Sequence, residues 1–397
     1  MDIIFLGYMV PIEQMNQYSG ISVAGNKMQY NIVNELNKLP NVTVHSVSME
    51  PYACFPTDKR MIIRGRRYEY NRIACNNVTY CNLPILKQFT QIILVYKQAR
   101  RIINELKKRK ADVIVMGFNM FPQVGIPLKL LRKHSQTVCV LADLPIDDDA
   151  QRKGFSKLLR KLFDLNTKKN LSSCDNYIVL SNYVKQEILS DKNVIVVEGG
   201  INDEDIANSG NVEKTNNKTI ILFSGALTEY NGIVNLIEAM QYLEAYDVEL
   251  RIYGDGYLKE YVVESQKNDN RIKYFGQVSN AEMKCYQREA DILINPRQVD
   301  NQISKYTFPS KTFEYFLSRT IVVSTKIPSY TQEYLDKMVL AEDSPQGLAE
   351  AIQNVLEMSI EQKREIVSRT YDFVCNEKRW SVQIKKMYSF IQSIHSK

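Results

Sequence analysis

The most chemically suggestive stretch of the sequence is SKYTFPSKTFEYFLSR, residues 304–319. Pro309 suits the first turn of a helix, and Ser310 beside it is able to cap free backbone N–H groups. Lys311 then adds a positive charge where the helix dipole is already positive, which is unfavourable unless an anion binds there. Glu314 follows one turn later on the same side, where its carboxylate is able to accept hydrogen bonds from a ribose diol. This spacing predicts a ligand that carries pyrophosphate and hydroxyl groups.

A second cation, Arg297, follows the apolar stretch DILINP and is able to join Lys311 at the same anion. The alternative is purely structural: Lys311 is solvated, and Glu314 forms an ion pair with Lys311 or with Arg319. Residue types and spacing alone leave both possibilities open.

Glycines follow two predicted strands in the same half of the chain. FSGALTEYNGIVNLIEAM (223–240) has Gly225 just past a strand and Gly232 at a helix start, and IYGDGYLKEYV (252–262) has Gly254 after a strand. Such glycines let the backbone approach a ligand, and the following helix start offers N–H groups to phosphate. Taken alone this signal is weak, and an ordinary turn that needs positive φ is the better explanation. Neither the dinucleotide fingerprint nor the P-loop motif occurs, which disfavours a nicotinamide or flavin enzyme.

Composition limits the class of protein. The chain has 397 residues, 44% of them hydrophobic and 24% charged, which is typical of a globular protein with two domains. Seven scattered cysteines and three histidines form no recognisable disulfide framework or zinc motif, so a reducing cytoplasm is expected. The N-terminus lacks the features of a signal peptide, and no stretch approaches the ~20 apolar residues needed to span a bilayer.

Short apolar stretches alternate with helical periodicity along nearly the whole chain, in two rounds separated by a polar segment. This pattern predicts two Rossmann-like doubly wound α/β domains that face each other across a cleft, with ligands at the carboxyl ends of the strands. Residues 50–85 are irregular and stay unassigned. The predicted parts are a first domain (1–200), a linker (201–218), a second domain (219–375) and a final helix that returns to the first domain (376–397).

Several of these stretches occur together in the order and spacing of a known family. FSGALTEYNGIVNLIEAM, IYGDG, IKYFGQVS, ADILINPR and FPSKTFEYFLSRTIVVST resemble the second half of the retaining family 4 glycosyltransferases of the GT-B fold. That family includes many bacterial enzymes of capsule, exopolysaccharide and lipopolysaccharide assembly. The resemblance covers essentially the whole second domain and extends more loosely to the first through SGISVAGNKMQ, LSNYV and VVEGGIND.

The resemblance implies that a nucleotide sugar is held mostly by the second domain. Glu314 matches the glutamate that holds the ribose hydroxyls, and the helix start beside the diphosphate matches Ser310, Lys311 and Thr312. The turn Gly276–Val278 matches the segment that meets the base through its backbone.

The first loop departs from the family pattern. Gly225 matches the glycine that lets this loop approach the phosphates, and Gly232 and Gly254 belong to the same donor side. Where many relatives carry an arginine and a lysine, however, this chain has Ala226 and Asn231. We therefore expect the cations of residues 297 and 311 to neutralise the diphosphate instead.

A second departure lies eight residues before Glu314. Many relatives carry another glutamate there, which touches the donor sugar, and this chain carries Tyr306. The missing carboxylate leaves open a non-catalytic partner of the same fold that binds nucleotide sugars. A nucleotide-sugar 2-epimerase is a further alternative, and the unpromising positions of the three histidines argue against it.

In the first domain, Asp143 ends the stretch VCVLAD near the place where relatives often carry a histidine facing the sugar. Its carboxylate is able to accept a bond from a sugar hydroxyl or to orient the acceptor, and capping of the next turn is the structural alternative. Gly20 and Gly25 are expected close to the phosphate and the acceptor. The acidic stretch DDDA (147–150) is rejected as a metal motif because the surrounding alternation does not fit the fold that uses one, and no metal or other cofactor is expected.

Residues 152–170, RKGFSKLLRKLFDLNTKKN, read as a basic amphipathic helix. Either its apolar side packs on its own sheet, or the helix rests on anionic lipid headgroups. Nucleic acid is a weaker candidate because no binding motif accompanies the charge. The expected reaction is transfer of a sugar, with retention, from a nucleoside diphosphate (UDP by weak preference) to a glycan or polyprenyl-linked acceptor at the inner face of the cell membrane.

Overall fold

The computed structural model describes residues 1–144, 155–210 and 218–395, with the backbone alone for residues 155–160 and 395. The chain divides into two compact units, one formed by Met1–Gly199 with Trp380–Lys397 and the other by Gly200–Arg379. Each unit has its own mainly parallel sheet and its own hydrophobic core. The prediction of two α/β domains is therefore confirmed.

The strands of the first unit are β1 (Asp2–Gly7), β2 (Thr43–Ser48), β3 (Ile62–Ile63), β4 (Arg67–Tyr70), β5 (Ile73–Asn77), β6 (Tyr80–Cys81), β7 (Val113–Phe118), β8 (Gln136–Leu141), β9 (Asn176–Val179) and β10 (Asn193–Val196). Its helices are α1 (Val23–Asn37), α2 (Leu86–Lys108), α3 (Pro122–Leu131), α4 (Phe155–Asn170) and, from the end of the chain, α14 (Trp380–His395).

The main sheet of the first unit has the order β10-β9-β8-β7-β1-β2-β5-β4. Its neighbours are parallel except at one edge, where β4 pairs antiparallel with β5. Central strands such as VIVMGF of β7 are buried throughout, as expected for a parallel sheet covered on both faces. The chain order reverses between β1 and β7, so the loops after these strands border a crevice of the kind that binds ligands in α/β sheets.

The last helix, α14, belongs to the core of the first unit, as predicted. Its buried side chains recur at helical spacing and join the cluster that contains Ile3 and Phe5 of β1. These side chains are Trp380, Ile384, Met387, Phe390, Ile391 and Ile394.

The strands of the second unit are β11 (Thr219–Ser224), β12 (Val248–Tyr253), β13 (Ile272–Gly276), β14 (Ile292–Asn295), β15 (Ile321–Thr325) and β16 (Val339–Ala341). Its helices are α5 (Asp203–Ala207), α6 (Ile233–Ala239), α7 (Lys259–Asn268), α8 (Asn280–Glu289), α9 (Gln302–Tyr306), α10 (Lys311–Leu317), α11 (Gln332–Leu335), α12 (Pro345–Glu357) and α13 (Ile360–Glu377).

The sheet of the second unit has the order β13-β12-β11-β14-β15-β16, with every neighbouring pair parallel. Counted within the unit this is the strand order 3-2-1-4-5-6 of a doubly wound Rossmann sheet. The order reverses between β11 and β14. Any ligand of this sheet is therefore expected beside the loops that follow these two strands.

The structure differs from the sequence-based expectations in two segments. The predicted linker 201–218 contains α5, and Ile201 forms a parallel bridge with Arg379 inside the second unit. The unassigned stretch 50–85 contributes β3, β4, β5 and β6, which are too short to show a sequence period. Of the helices in the described ranges, none is long and apolar enough to cross a membrane.

Candidate functional site

Lys311 and Arg297 bring two positive charges to the loops after β11 and β14. Lys311 Nζ donates to the carbonyl oxygen of Ser224 at 3.2 Å and lies 3.1 Å from the position that a Cβ would take at Gly225. Arg297 Nη1 donates to Thr307 Oγ1 at 3.4 Å, and its Nε is buried without a partner. Neither cation forms an ion pair with a carboxylate in the part of the chain that the structure describes. The two cations therefore lie at the strand-order reversal, each bonded to an uncharged oxygen, with the Glu314 carboxylate favouring the charge of Lys311.

Desolvation disfavours the charges of both Lys311 and Arg297. The pKa of Lys311 falls to about 7, mainly because of desolvation and further because of the neighbouring Arg297, while Glu314 opposes the shift. Desolvation also lowers the pKa of Arg297. Because an anion between them would favour both charged forms, the arrangement has the electrostatic character of an anion-binding site.

Two glycines hold the loops of this site in close contact. Gly254 has φ 132°, and a Cβ there would lie 1.8 Å from the carbonyl oxygen of Gly225. Gly232 has φ 73°, and a Cβ there would lie 1.6 Å from the carbonyl oxygen of Pro296. Both positions combine a left-handed backbone with a backbone contact, so only glycine fits. The predicted glycines 232 and 254 therefore shape the site by packing loop against loop.

Two residues of the predicted helix start have other roles. Ser310 itself has helical dihedral angles and makes no capping hydrogen bond, and the first turn of α10 is closed by bonds from Thr312 N–H to Pro309 O and from Phe313 N–H to Ser310 O. The prediction that Ser310 caps free N–H groups is therefore wrong, because the tight turn uses these groups itself. The hydroxyl of Thr312 is buried 2.7 Å from that of Tyr330, which makes Thr312 a packing residue.

Asn231 stabilises the loop that follows β11. Its buried amide donates to Ala226 O at 2.9 Å and to Thr228 Oγ1 at 3.0 Å. Where relatives are expected to carry a lysine, this chain thus has a side chain that bonds to its own loop.

The remaining residues predicted to bind the donor also belong to the second unit. Glu314 is half-buried in the first turn of α10, and Tyr306 is half-buried at the end of α9, with Lys305 Nζ 5.5 Å from its ring centre. Gly276 closes β13 with φ 70° and accepts the Gly254 N–H at 2.8 Å, and the half-buried Val278 follows.

A separate cavity of about 280 Å³ lies in the first unit, beside the loops after β1 and β7. The predicted residues Gly20, Gly25 and Asp143 all line it. Asp143 accepts a hydrogen bond from Asn119 Nδ2 at 3.0 Å, and its own N–H donates to Asn119 Oδ1 at 2.9 Å. Desolvation raises the pKa of Asp143, and the bond from Asn119 partly opposes this.

Two glutamines give this cavity unsatisfied hydrogen-bonding groups. Gln91 on α2 is 1% exposed, and neither atom of its amide has a partner; Gln123 on α3 is 7% exposed, and its Oε1 has none. The lining also includes Lys87, which donates to the carbonyl oxygen of Tyr52, and Glu50. Buried amides normally find partners, so these groups are available to bond to a polar ligand or to water.

Sequence reasoning missed three residues of these sites. Gln91 and Gln123 carry no motif, and only the fold shows that their helices turn them towards one cavity. Tyr315 is fully buried in α10 with its hydroxyl 3.1 Å from Ser224 Oγ, where it fixes the end of β11 beside Lys311. The spacing between Lys311 and Tyr315, one helical turn, was an available signal for this last residue.

Some sequence predictions concern parts of the chain outside the described residues. These are the acidic stretch 147–150, Arg152 and Lys153, and the side chains of Lys157 and Arg160. Within residues 1–144, 155–210 and 218–395, no group of three or more His, Cys, Asp or Glu is arranged to hold a metal ion. Metal independence of the reaction stays a prediction.

Comparison with known proteins agrees with this geometry. Residues 218–358 match the family model described as "Glycosyl transferases group 1". That segment contains both cations and every glycine of the second site. No curated protein is significantly similar to the chain in sequence.

Solved structures of similar architecture extend over both units. A glycosyltransferase from Rickettsia africae is 17% identical in sequence to this chain, with a TM-score of 0.67. The match covers 99% of this chain and 98% of the Rickettsia chain. Sucrose-phosphate synthase from Thermosynechococcus elongatus is 16% identical with a TM-score of 0.68, covering all of both chains. HepE from Anabaena, solved in complex with UDP, is 14% identical in sequence to this chain, with a TM-score of 0.62. The match covers 99% of this chain and 100% of the HepE chain.

Fold and family model together define the class. The chain has the GT-B fold of glycosyltransferases. Residues 218–358, within its second unit, match the family model of group 1 glycosyl transferases.

Proposed function

We propose that the protein transfers a sugar from a nucleoside diphosphate donor to a hydroxyl group of an acceptor, with retention at the anomeric carbon. The observation that carries the proposal is the cationic pair of Lys311 and Arg297, which has no carboxylate partner among the described residues and lies at the strand-order reversal of the group 1 domain. Such a pair fits a diphosphate, and the nearby carboxylate of Glu314 fits the ribose hydroxyls.

The leaving group determines what the site must do chemically. The bond between the anomeric carbon and the β-phosphate oxygen breaks, a bond from that carbon to the acceptor oxygen forms, and the acceptor proton passes to the departing phosphate. Negative charge therefore grows on the β-phosphate, where Lys311 and Arg297 are able to stabilise it without a metal. No protein nucleophile is required.

The cavity of the first unit is the proposed acceptor site. The unpaired amide of Gln91 and the unpaired Oε1 of Gln123 suit sugar hydroxyls, which both donate and accept hydrogen bonds. Asp143 is able to accept a bond from the reacting hydroxyl or to orient it. Among the described residues that line the cavity, Lys87 is the only cation, and it already donates to Tyr52 O. An uncharged sugar therefore suits the cavity better than a sugar phosphate.

The finer assignment follows the sequence resemblance and remains part of the proposal. It comprises membership of family 4, UDP as the preferred nucleotide, and a role in bacterial surface polysaccharide assembly on a glycan or polyprenyl-linked acceptor. It also places the protein in the cytoplasm, at the inner face of the membrane, with residues 152–170 as one candidate contact. HepE bound to UDP supports the nucleotide, as a protein of similar fold.

Thermal-shift measurements with UDP-glucose, UDP-N-acetylglucosamine and GDP-mannose test the donor, since a ligand of the native state raises the melting temperature. The hit is then incubated with polyprenyl-diphosphate glycans in the presence and absence of EDTA, and the anomeric configuration of the product is determined by NMR. Binding without release of nucleoside diphosphate under any condition would show a non-catalytic nucleotide-sugar-binding protein. Loss of the thermal shift in Lys311→Met but not in the exposed Lys267→Met variant is expected.

A further inference from the structure

The outward face of α2 carries a cluster of exposed apolar side chains. Leu86 is 50% exposed, Phe89 60% and Ile93 49%, and their spacing of three and four residues puts them on one side of the helix. Ile85, directly before the helix, is also more than half exposed. Solvated helices normally present polar residues on this side, so the cluster indicates a surface that another apolar phase covers.

The neighbouring antiparallel pair of β3 and β6 adds two more apolar residues to this cluster. Met61 and Ile62 are both more than half exposed. Ile62 of β3 lies opposite Cys81 of β6, whose N–H donates to Thr90 Oγ1 of α2 at 3.1 Å. The strand pair is thereby joined to the same turn of α2 that carries Phe89.

The backbone before α2 is strained to hold this arrangement. Ile85 has φ 65°, a conformation that β-branched residues seldom adopt. Because its side chain is exposed, the strain gains no core packing in return. Strain of this kind is concentrated at functional positions.

The same face of α2 becomes basic towards its end. Lys97, Arg100 and Arg101 follow Ile93 at intervals that continue the exposed side of the helix, and Lys108 lies further along it. One helix side therefore offers apolar groups over its first half and mainly positive charges over its second half, where Arg101 also pairs with Glu105 at 2.9 Å. Anionic lipid headgroups above an acyl layer complement this order of groups.

We propose that the outward face of α2, with Met61 and Ile62, docks the protein on an anionic lipid surface. Leu86, Phe89 and Ile93 enter the acyl boundary, and Lys97, Arg100 and Arg101 lie at the phosphate level. The surface differs from residues 152–170, and its docking is independent of the proposed transferase activity. The inner side of the same helix carries Gln91 into the cavity, so docking would bring that cavity near the lipid.

Cosedimentation of the full chain with vesicles tests the proposal, using vesicles of phosphatidylglycerol and phosphatidylcholine in equal parts and vesicles of phosphatidylcholine alone. We expect binding to the mixed vesicles that weakens in high salt. The triple variant Leu86→Ser, Phe89→Ser, Ile93→Ser is expected to lose at least about 100-fold in affinity, since it removes the apolar groups that insert. Replacing the three basic residues by Gln is expected to cost about tenfold or more at low salt.

Matched variants separate this surface from the alternatives. Leu340→Ser with Ile360→Ser removes exposed apolar groups from the second unit and should leave vesicle binding unchanged. Lys161→Gln, Lys168→Gln and Lys169→Gln in α4 should also leave most of the binding intact.

Three results would overturn the proposal: no binding of the wild-type chain to mixed vesicles, loss of binding in the α4 variant alone, or an α2 variant that changes only the oligomeric state in sedimentation velocity. The last would identify an interface between copies of the chain. Thermal melting and nucleotide binding of each variant show that it is folded.

Discussion

Titration of Lys311 should make nucleotide-sugar binding depend on pH in a specific way. In the free protein its pKa is about 7, because desolvation and Arg297 both disfavour the ammonium. A bound diphosphate favours the ammonium and raises this pKa. Binding therefore takes up a proton above pH 7: affinity is constant where Lys311 is charged in both states and falls as pH rises between the free and the bound pKa.

The size of the effect follows from the same linkage. If the diphosphate returns the pKa of Lys311 to 9 or above, the dissociation constant should rise about 20-fold from pH 6.5 to pH 8.5. A nucleotide sugar is the right probe because its diphosphate is doubly esterified and does not titrate in this range. Calorimetry in two buffers of different ionisation enthalpy should show an uptake approaching one proton at pH 8.

Three variants decide whether Lys311 is the titrating group. Lys311→Arg keeps its charge throughout the range and should bind with a flat pH profile. Lys311→Met should also give a flat profile, with much weaker binding, while the exposed Lys267→Met should behave as wild type. A wild-type affinity that does not change with pH, or a slope that survives in both Lys311 variants, would refute the assignment of Lys311 to the diphosphate.

Three further substitutions probe the supporting structure. Gly254→Ala should destabilise the second unit by roughly 2–4 kcal/mol in urea unfolding, because its Cβ would collide with Gly225 O at an unfavourable φ; an unchanged midpoint would contradict the observed packing. Thr312→Val should lower stability by about 1–2 kcal/mol through loss of its bond to Tyr330, yet leave the nucleotide dissociation constant unchanged, whereas direct contact with the donor would weaken binding. Gln91→Leu should raise the acceptor KM about tenfold or more with donor binding intact, and an unchanged KM would exclude this amide from the acceptor site.

The sequence predicts the second unit well because its signals are local. Each strand is a short apolar stretch followed by a turn, and the glycines at positions 232 and 254 lie at the strand ends where backbone must pass close to backbone. Lys311 and Arg297 could be paired from sequence because both follow the predicted strand that became β14, Arg297 directly and Lys311 at the start of the next long apolar helix. Their shared lack of a carboxylate partner, by contrast, depends on side-chain geometry that no spacing reveals.

The first unit was harder to predict because its site is assembled from distant segments. Gln91 and Gln123 belong to different helices, and a glutamine on a helix is usually a surface residue. The predicted cap at Ser310 is wrong for a different reason. Proline, serine and lysine are typical of a capped helix start, but the dihedral angles of Ser310 are already helical, and a capping residue needs non-helical angles. Residue preference thus gave the right element and the wrong hydrogen bonds.

The chemistry of the two sites is complementary in charge. The second unit has two cations whose charges desolvation disfavours, and the first has a cavity lined by the unpaired amide of Gln91, by Asp143 and by a lysine that is already bonded. The charged donor and the uncharged acceptor of the proposed function match this difference. The position of α2 then matters, because a helix is about 10 Å thick and has Gln91 on one side and Phe89 on the other. An acceptor sugar held by Gln91 would lie within roughly that distance of a lipid surface contacted by Phe89, which suits a sugar joined to its lipid by a short linkage.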